Sequence, residues 1–401
     1  MRKQKIFNDP VYGLISVPDG LIMELIEDPA FQRLRRINQL GLSHLVYPGA
    51  THSRFHHALG AFSLMTNALD TLRHKSVEIS EQEYQASQIA ILLHDIGHGP
   101  FSHVLEHSLL KVSHEEVTLY LMHHLNEKHH GSLNLAIQIF TDQYPRRFFN
   151  ELISGQLDLD RLDYLTRDSF YTGVAEGVIG YDRMIKMMDV VDESLVLEEK
   201  AIYSIEKFLV ARRLMYWQVY LHKTNIAAEA MLRGLLELIK VHGEVGKHQE
   251  NLSYIIDYQF NSNYSDLNQE FVDRFLALDD TDIWQLLKQA QNSPYKLCSY
   301  LAKGLLNRKL LKIQFSNQPV NRDFLDEERL KLEKQWKIDK NEAQLLIKEG
   351  SLDLTVYSHL EREINIKTKE NRLKTLSDVV DLHSFLKTET KYFYTYPNKL
   401  C

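Results

Sequence analysis

The most chemically suggestive segment of this chain is the pair His94-Asp95, which directly follows the apolar run Ile91–Leu93. Two more histidines, His98 and His103, come within the next ten residues. Imidazole and carboxylate groups together form a ligand set for a divalent metal ion. A metal held in this way can polarise a phosphoryl oxygen or generate hydroxide at neutral pH. The segment therefore predicts a metal centre, provided that other parts of the chain complete it.

The element that carries this pair must end close to it. His94 and His98 are four residues apart and share a helix face, whereas Asp95 is rotated away by about 100°. The two glycines and the proline between positions 97 and 100 are typical of a helix end. His94 and Asp95 can therefore contact one ion only if that ion lies near the end of the helix.

A second candidate lies in the segment 47–60, where Pro48-Gly49 indicates a turn and a helix resumes at about Arg54. His57 falls at the start of that helix. A histidine in this position is most often exposed. It becomes a candidate ligand only in combination with the His-Asp pair.

The third candidate segment, 157–168, is acidic. It contains four carboxylates within eleven residues, namely Asp158, Asp160, Asp163 and Asp168. These acids could form a solvated helix face that pairs with Arg161 and Arg167. Leucines alternate with them, however, so part of the set must point inward, and a buried carboxylate needs a cation or hydrogen bonds.

Composition narrows the class of protein. The chain has 401 residues, more than the roughly 250–300 at which a single core stops growing, so a main domain with a smaller one is expected. The net charge of −7 argues against a nucleic-acid partner. Only two cysteines occur, which excludes a disulfide framework and suits the cytoplasm. Because the N-terminus lacks an apolar signal core and no run of about 18 apolar residues occurs, no membrane association is expected.

Hydrophobic periodicity predicts a mainly α fold, with a helical body over residues 1–304 and a small C-terminal α+β module over 305–401. Within the body, Ser204–Val241 reads as one long helix. The segment 195–203 reads as a hairpin that turns at Glu198-Glu199-Lys200. After residue 305 the segments 309–315, 352–357 and 364–366 are typical of strands.

Four segments in this order resemble the HD-domain metal-dependent phosphohydrolases, most closely their deoxynucleoside triphosphate triphosphohydrolase (dNTPase) branch. They are Phe31–Gly41, Pro48–His57, His94–His103 and Asp158–Tyr164. The resemblance implies an HD-domain helical body and a single divalent cation, which Mn, Fe, Zn, Ni or Mg could supply. It implies four metal ligands, which are His57, His94, Asp95 and Asp160.

The same resemblance assigns catalytic and nucleotide-binding roles. His98 and His114 would contact phosphate oxygens, and His103 would act as general acid with Glu106 orienting it. The i and i+3 spacing of that last pair fits neighbours on one helix, and a carboxylate partner raises the pKa of a histidine. The implied nucleotide contacts are Gln39, Arg54, Arg161, Tyr164, Asp168, Arg212 and Tyr220.

Among these contacts, the arginines would hold phosphates and Tyr164 would pack beneath the sugar, where a 2′-hydroxyl would clash. Two positions depart from the vertebrate enzymes of the branch. Arg161 replaces a lysine after the ligand aspartate, and Tyr216 replaces a histidine near the base. Base preference therefore does not follow from the resemblance.

The favoured hypothesis is hydrolysis of a deoxynucleoside triphosphate (dNTP) to a deoxynucleoside and triphosphate. A second hypothesis keeps the metal but changes the substrate to nucleoside monophosphates or another phosphoester. A third is a non-catalytic, nucleotide-sensing protein on the same scaffold. The family resemblance also suggests a homo-oligomer, a dimer or a tetramer. Arginines at 33, 35, 36, 146 and 147 could bind a nucleotide effector, or simply form solvated faces.

Overall fold

The computed structural model describes residues 4–101, 104–105, 112–242, 249–258, 267–357 and 363–397. The mainly α fold expected from the sequence is confirmed. The first helices are α1 (Leu21–Glu27), α2 (Pro29–Gln32), α3 (Arg54–His74), α4 (Glu81–Leu93), α5 (His114–Lys128), α6 (Asn134–Phe140), α7 (Phe148–Glu151), α8 (Leu159–Thr172) and α9 (Tyr181–Lys186). The helices that follow are α10 (Ile202–Met215), α11 (Lys223–His242), α12 (Glu250–Asp257), α13 (Gln269–Leu276), α14 (Asp280–Ala290), α15 (Lys296–Leu306), α16 (Arg322–Trp336), α17 (Lys340–Leu346), α18 (Leu376–Val379) and α19 (His383–Leu386).

The centre of the body is the packing of α3 against α4 and α8. Because α3 is covered on most sides, apolar residues occupy nearly every turn of it, and Phe62 and Leu64 are fully buried. α4 ends in the buried run Ile91–Leu93, which anchors the following loop in the core. Burial at about 25 cal/mol per Å² of apolar surface makes this contact the main force that fixes the three helices relative to one another.

Helix caps set where the chemically interesting helices begin. The Ser113 side chain accepts from the backbone N–H of Glu116 at the start of α5. The Asp158 side chain accepts from the backbone N–H of Arg161 at the start of α8, at 2.7 Å. Since a cap fixes the first turn of a helix, the residues just after these caps are held in place.

Strands form three small sheets. They are β1 (Gln4–Asp9), β2 (Gly13–Pro18), β3 (Met188–Val191), β4 (Ser194–Glu198), β5 (Lys312–Ser316), β6 (Glu349–Leu354), β7 (Asn365–Lys367), β8 (Leu373–Thr375) and β9 (Glu389–Tyr396). β1 and β2 form an antiparallel hairpin in which Asp9 pairs with Gly13. β9 lies between β5 and β6 in an antiparallel sheet. The remaining four strands have the order β3-β4-β7-β8.

The last sheet joins the two parts of the chain. β4 pairs with β7 in parallel, with Leu197 opposite Ile366. Both side chains are buried, at 2% and 0% exposure. The boundary at residue 304 stays a prediction, and the segment that follows it shares a sheet with the helical body.

The hairpin predicted over 195–203 is wrong in its second strand: the observed hairpin ends at Glu198, and Ile202 and Tyr203 begin α10. Its strands are β3 and β4, and the turn is Asp192-Glu193 rather than Glu198-Glu199-Lys200. Both turn residues have positive φ, 49° and 59°, as a tight two-residue turn requires. The turn was missed because neither residue is the glycine or asparagine that usually marks such a turn.

The long helix predicted over Ser204–Val241 is interrupted. α10 ends at Met215, a π-helical segment spans Tyr216–Tyr220, and α11 begins at Lys223. The spacing of apolar residues cannot distinguish this π-helical segment from a regular α-helix, because a π turn only widens the helix locally. Such π segments are frequent at functional sites. In the part of the chain that the structure describes, no helix combines the length and apolarity needed to cross a membrane.

Candidate active site

Three of the side chains singled out from the sequence, His57, His94 and Asp160, converge at the C-terminal end of α4, and Asp95 lies beside them in a second group with His98 and His114. His57 Nε2 lies 3.1 Å from Asp160 Oδ1 and 3.3 Å from His94 Nε2. His94 Nε2 lies 3.4 Å from Asp160 Oδ1 and 3.5 Å from Asp95 Oδ1. Because α4 ends at Leu93, the condition set by the sequence is met, and His94 and Asp95 face one point beyond the helix end.

The outward nitrogens of the two histidines are already engaged. His57 Nδ1 lies 2.7 Å from Asp163 Oδ2, and His94 Nδ1 lies 2.6 Å from the carbonyl oxygen of Ile91. Both acceptors require a proton on Nδ1, which leaves the Nε2 lone pair of a neutral imidazole directed at the cluster. This hydrogen-bonding arrangement is typical of histidines that bind metals.

A network of buried charged side chains contacts His57 through its Nδ1 atom. Arg167 donates from Nε and Nη2 to the two carboxylate oxygens of Asp163, each at 3.0 Å, and from Nη1 to Asp9 at 2.7 Å. Asp163 and Arg167 are both fully buried. Gly60 on α3 allows this contact, since a Cβ there would lie 2.0 Å from Asp163 Oδ1. The pair therefore fixes the ring of His57 from the core side.

The donor set fits a divalent cation. Ligand atoms about 2.1 Å from one ion stand about 3.0–3.4 Å apart in octahedral or tetrahedral sites, which the distances above approach. The charges agree as well. Although burial favours a neutral imidazole, the carboxylates of Asp160 and Asp163 raise the pKa of His57 to about 10. An environment that holds a proton this strongly can hold a metal cation in its place, since metals and protons compete for such ligands.

Gly97 brings a second pair of histidines together. A Cβ on Gly97 would lie 2.4 Å from the carbonyl oxygen of His114, so only glycine lets α5 approach this closely. The Gly97 N–H donates to Thr118 Oγ1, which donates to the His94 carbonyl. His98 and His114 consequently stack at 3.8 Å between ring centroids. Burial, with the nearby Arg54, lowers the pKa of His98 well below its usual value.

One cavity of about 660 Å³ lies in front of these residues. Its lining contains most of the predicted site residues, which are Gln39, Arg54, Asp95, His98, His114, Asp160, Arg161, Tyr164, Asp168 and Tyr220. These residues come from stretches as far apart as positions 39 and 220 in the chain. The volume lies within the range of about 300–1,000 Å³ found for ligand sites.

Asp168 organises one wall of the cavity. Its Oδ2 accepts from the Tyr220 hydroxyl at 2.8 Å, and its Oδ1 lies 2.7 Å from His52 Nε2. The His52 ring stacks on Tyr171, with centroids 4.4 Å apart. Tyr164 meets Tyr220 edge to face at 6.0 Å. The π-helical segment places Tyr220 where it can reach Asp168.

The predicted phosphate-binding arginines differ in their surroundings. Arg54 Nη1 donates to Asp95 Oδ2 at 2.6 Å, while its buried Nε has no partner among the described residues. Arg161 bonds to Asp158 at the start of α8 and also lines the cavity. Arg212 instead donates to the carbonyl of Val356 at 2.9 Å and lies outside the described lining of the cavity. Its role as a nucleotide contact stays a prediction.

Two predicted catalytic residues, His103 and Glu106, lie outside the described residues. At least two of the arginines suggested as an effector site have other partners. Arg33 is buried and donates to the carbonyls of Ile96 and His98, so it supports the His-Asp loop. Arg146 pairs with Glu83 and Glu193 on another part of the surface. The interpretation of these cations as one effector surface was therefore wrong for Arg33, because a buried guanidinium satisfied by carbonyls cannot meet a ligand.

Sequence reasoning missed residues that support the site. Asp163 and Arg167 were noted only as possible members of a solvated face, and Thr118 and His52 were not considered. One signal was available for the first pair: Asp163 and Arg167 are spaced i, i+4 on a helix whose leucines must face inward. Thr118 carried no comparable signal, because it contacts the site only through the close approach at Gly97.

Comparison with known proteins agrees with this geometry. A family model described as HD domain matches residues 54–168, and one described as HD associated region matches residues 179–270. The first range contains all four predicted metal ligands. The second contains the π-helical segment and Tyr220.

Three similar proteins illustrate the range of relatives. The uncharacterized protein YwfO of Bacillus subtilis (strain 168) is 30% identical, over 98% of this chain and 93% of its own length. The deoxynucleoside triphosphate triphosphohydrolase SAMHD1 homolog of Dictyostelium discoideum is 31% identical, over 57% of this chain and 48% of its own length. This chain thus spans about half of that relative. A crystal structure of a phosphohydrolase from Bacteroides thetaiotaomicron VPI-5482 is 45% identical, with a TM-score of 0.93 over 99% of this chain and 100% of that chain.

Proposed function

Because this chain belongs to the HD-domain phosphohydrolases, near their dNTPase branch, we propose that it hydrolyses dNTPs to a deoxynucleoside and triphosphate. In this reaction the oxygen of water bonds to the α-phosphorus and the bond from phosphorus to the 5′ oxygen breaks. One proton goes to the 5′ oxygen, and the three phosphates leave as one unit. The proposal extends the family assignment to a particular substrate and a particular bond.

The arrangement of polar side chains along one cavity supports this substrate proposal most. Asp95, Asp160, Arg54 and Arg161 line it together, and Asp168 lies two helical turns along α8 from Asp160. A dNTP has the same order of groups, with a reacting phosphate, further anionic phosphates and then a sugar. The polar groups of the cavity match that order.

Each group of residues would have its own role in this reaction. A divalent cation held by His57, His94, Asp95 and Asp160 would supply Lewis acidity at the α-phosphate and lower the pKa of water. Arg54 and Arg161 would offset the charge of the triphosphate, which is costly to bring into a buried site. His98 and His114, stacked at the edge of the metal cluster, would donate hydrogen bonds to phosphate oxygens.

The sugar would lie against the wall that Asp168 organises. Asp168 and Gln39 offer acceptors there, and the buried Gln39 Oε1 has no partner among the described residues. The Tyr164 ring lies beside Tyr220 and would leave no room for a 2′-hydroxyl. The proton for the 5′ oxygen is assigned by family resemblance to His103, which the structure does not describe.

The test is a substrate panel with chromatographic analysis of products. Metal-loaded protein is incubated with the four dNTPs, the four ribonucleoside triphosphates and the corresponding monophosphates, beside a His103→Ala variant. We expect deoxynucleoside and intact triphosphate in equal amounts from dNTPs, with ribonucleotides at least about tenfold slower, in keeping with exclusion of a hydroxyl by a packed ring.

Other outcomes contradict the proposal in distinct ways. Release of orthophosphate, or hydrolysis of monophosphates alone, would favour the second hypothesis. Tight nucleotide binding with turnover no higher than that of His103→Ala would favour a sensor. We also propose, from the family relationship, a cytoplasmic homo-oligomer, and light scattering with and without added nucleotide would reveal both its size and any effector response.

A further inference from the structure

The turn of the N-terminal hairpin carries a buried carboxylate that the proposed reaction does not use. Asp9 ends β1 and is 7% exposed. Its Oδ1 accepts from the backbone N–H groups of Val11 and Tyr12, each at 2.9 Å, and so closes the turn between β1 and β2. Arg167 on α8 donates to the same carboxylate, from Nη1 to Oδ2 at 2.7 Å and from Nη2 to Oδ1 at 3.4 Å. Asp9 therefore closes the turn and also holds a cation that belongs to another element.

Arg167 connects Asp9 to the outer partner of a candidate metal ligand. Its Nε and Nη2 each lie 3.0 Å from an oxygen of Asp163, and Asp163 Oδ2 lies 2.7 Å from His57 Nδ1. His57, Asp163 and Arg167 are all 0% exposed. A continuous line of polar contacts thus runs from the hairpin turn to His57 through groups that water does not reach.

The charges along this line decide what Asp9 contributes. Arg167 attracts the negative charge of Asp163, the same carboxylate that accepts from His57 Nδ1–H. Two carboxylates and one guanidinium sum to a single negative charge, whereas Asp163 and Arg167 alone would sum to zero. Such differences matter more in a buried site than in water, because the interior screens charge weakly. Asp9 therefore keeps Asp163 a strong acceptor for His57.

The surroundings of Arg167 offer no substitute for Asp9. The Tyr12 ring lies against the guanidinium, 5.3 Å from its centroid, and brings no charge. Among the residues that the structure describes, the carboxylates that pair with Arg167 are Asp9 and Asp163. Loss of Asp9 would thus leave Asp163 alone to balance this cation.

We propose that Asp9 is a positioning residue for the metal centre: by balancing Arg167 it keeps Asp163 available to His57, and so it strengthens the binding of the divalent cation by His57. An acceptor at Nδ1 raises the basicity of a histidine ligand, and a more basic imidazole binds a metal more tightly. The N-terminal hairpin then influences metal affinity although it contributes none of the predicted ligands. This inference rests on the metal centre of the proposed function and does not depend on the substrate.

Two substitutions at position 9 separate the charge from the turn. Asp9→Asn removes the charge and keeps an oxygen for the N–H groups of the turn, since asparagine forms the same kind of turn. Asp9→Glu keeps the charge and fits the turn less well. We expect Asp9→Asn to bind Co²⁺ about tenfold less tightly and Asp9→Glu to stay within about threefold of the unmodified protein, since loss of an outer partner costs at least that much. The reverse order, or an equal loss in both variants, would overturn the proposal.

Affinities are measured by competition with a chelator, without any nucleotide, and Asp28→Asn is the matched control. Asp28 is also a buried aspartate, 8% exposed, that accepts from a backbone N–H at 2.9 Å and pairs with Lys128 at 2.6 Å. None of its described contacts leads to His57, so this variant should bind Co²⁺ as the unmodified protein does. A loss as large as that of Asp9→Asn would overturn the proposal.

A spectroscopic readout tests whether the effect reaches one particular ligand. Bound Co²⁺ shifts the Nδ1–H proton signals of its histidine ligands far outside the usual range of a proton NMR spectrum. His57 and His94 should each give one such exchangeable signal. Asp9→Asn should move one signal and leave the other in place, because the acceptor of His94 is the Ile91 carbonyl and not Asp163. Equal movement of both signals, or of neither, would contradict a role through Asp163.

The design remains decisive if Asp9→Asn does not fold. Asp9→Glu then decides alone, and a loss of about tenfold or more in its Co²⁺ affinity would overturn the proposal. If the affinities follow the expected order but no dNTP is cleaved, only the proposed reaction fails. If dNTPs are cleaved while Asp9→Asn binds Co²⁺ like the unmodified protein, only this inference fails.

Discussion

At the scale of single residues, the candidate metal centre depends on which nitrogen each histidine presents. Asp163 and the Ile91 carbonyl occupy the Nδ1 atoms of His57 and His94, so both Nε2 atoms face Asp160. Neither acceptor belongs to the four predicted ligands. Outer partners of this kind tune metal affinity by about 10- to 100-fold in other sites.

Removal of a ligand should abolish metal binding as well as turnover. We expect His94→Ala and Asp160→Ala to bind divalent metal more than about 100-fold less tightly, since a lost ligand costs more than a lost outer partner. Elemental analysis and competition with a chelator measure this directly. Chelation should also lower the melting temperature of the unmodified protein, because a metal that binds only the folded state stabilises it.

The control for these variants is His124→Ala, which replaces an exposed histidine on α5. It should retain full metal content and the same shift in melting temperature on chelation. If Asp160→Ala also retained both, the four side chains would not form the metal site. The substrate proposal would then lose its chemical basis.

At the scale of elements, three close approaches build the site: α3 against α8 at Gly60, the His-Asp loop against α5 at Gly97, and the π-helical segment against α8 at Tyr220. The first two depend on the absence of a side chain at the crossing point. A Cβ on Gly60 would lie 2.0 Å from Asp163 Oδ1 and 2.1 Å from Arg167 Nη2. Both contacted groups are fully buried and bonded to each other, so neither can move aside cheaply.

Gly60→Ala should therefore destabilise the protein although alanine favours helices. We expect a loss of about 1–3 kcal/mol in the free energy of unfolding, the usual cost of forcing extra volume into a packed core. Urea denaturation followed by circular dichroism measures it. Gly234→Ala on α11 is the control, because the nearest atom to a Cβ there lies 3.6 Å away. That variant should be neutral or slightly more stable, and equal destabilisation of both would contradict the packing argument.

At the scale of the whole molecule, the C-terminal segment is bound to the element that carries the cavity tyrosines. Glu389 at the start of β9 bonds to both Arg213 and Trp217, at the end of α10 and within the π-helical segment. Lys391 lies over the Trp217 ring at 3.9 Å from its centroid. The segment after residue 304 thus supports the wall of the cavity, and none of its described residues lines that cavity.

Loss of this support should affect substrate binding more than the metal site. We expect Glu389→Ala to raise the KM for dNTPs about 3- to 10-fold with unchanged metal content, as for a coupling energy of about 1 kcal/mol. Steady-state kinetics and elemental analysis on one preparation measure both quantities. Glu349→Ala, an exposed position on the neighbouring strand β6, is the control and should behave as the unmodified protein. An unchanged KM in Glu389→Ala would show that the C-terminal segment does not influence the cavity.

The sequence alone determined the mainly helical fold, the family, and the residues of the candidate metal cluster. These follow from local patterns: hydrophobic periodicity, and ligand-type side chains at helix ends. Residue type and spacing predicted that His94 and Asp95 can contact one ion only near the end of a helix, and α4 ends at Leu93.

Only the tertiary structure decided what surrounds those residues. The contact of Asp163 with His57, the closeness of α5 at Gly97, and the bond from Tyr220 to Asp168 each join parts of the chain without a shared local pattern. The π-helical segment and the Asp192-Glu193 turn were missed for a related reason, because small changes of backbone geometry leave the spacing of apolar residues almost unaltered. Contacts between distant segments depend on how whole elements pack, and a linear pattern records that packing only indirectly.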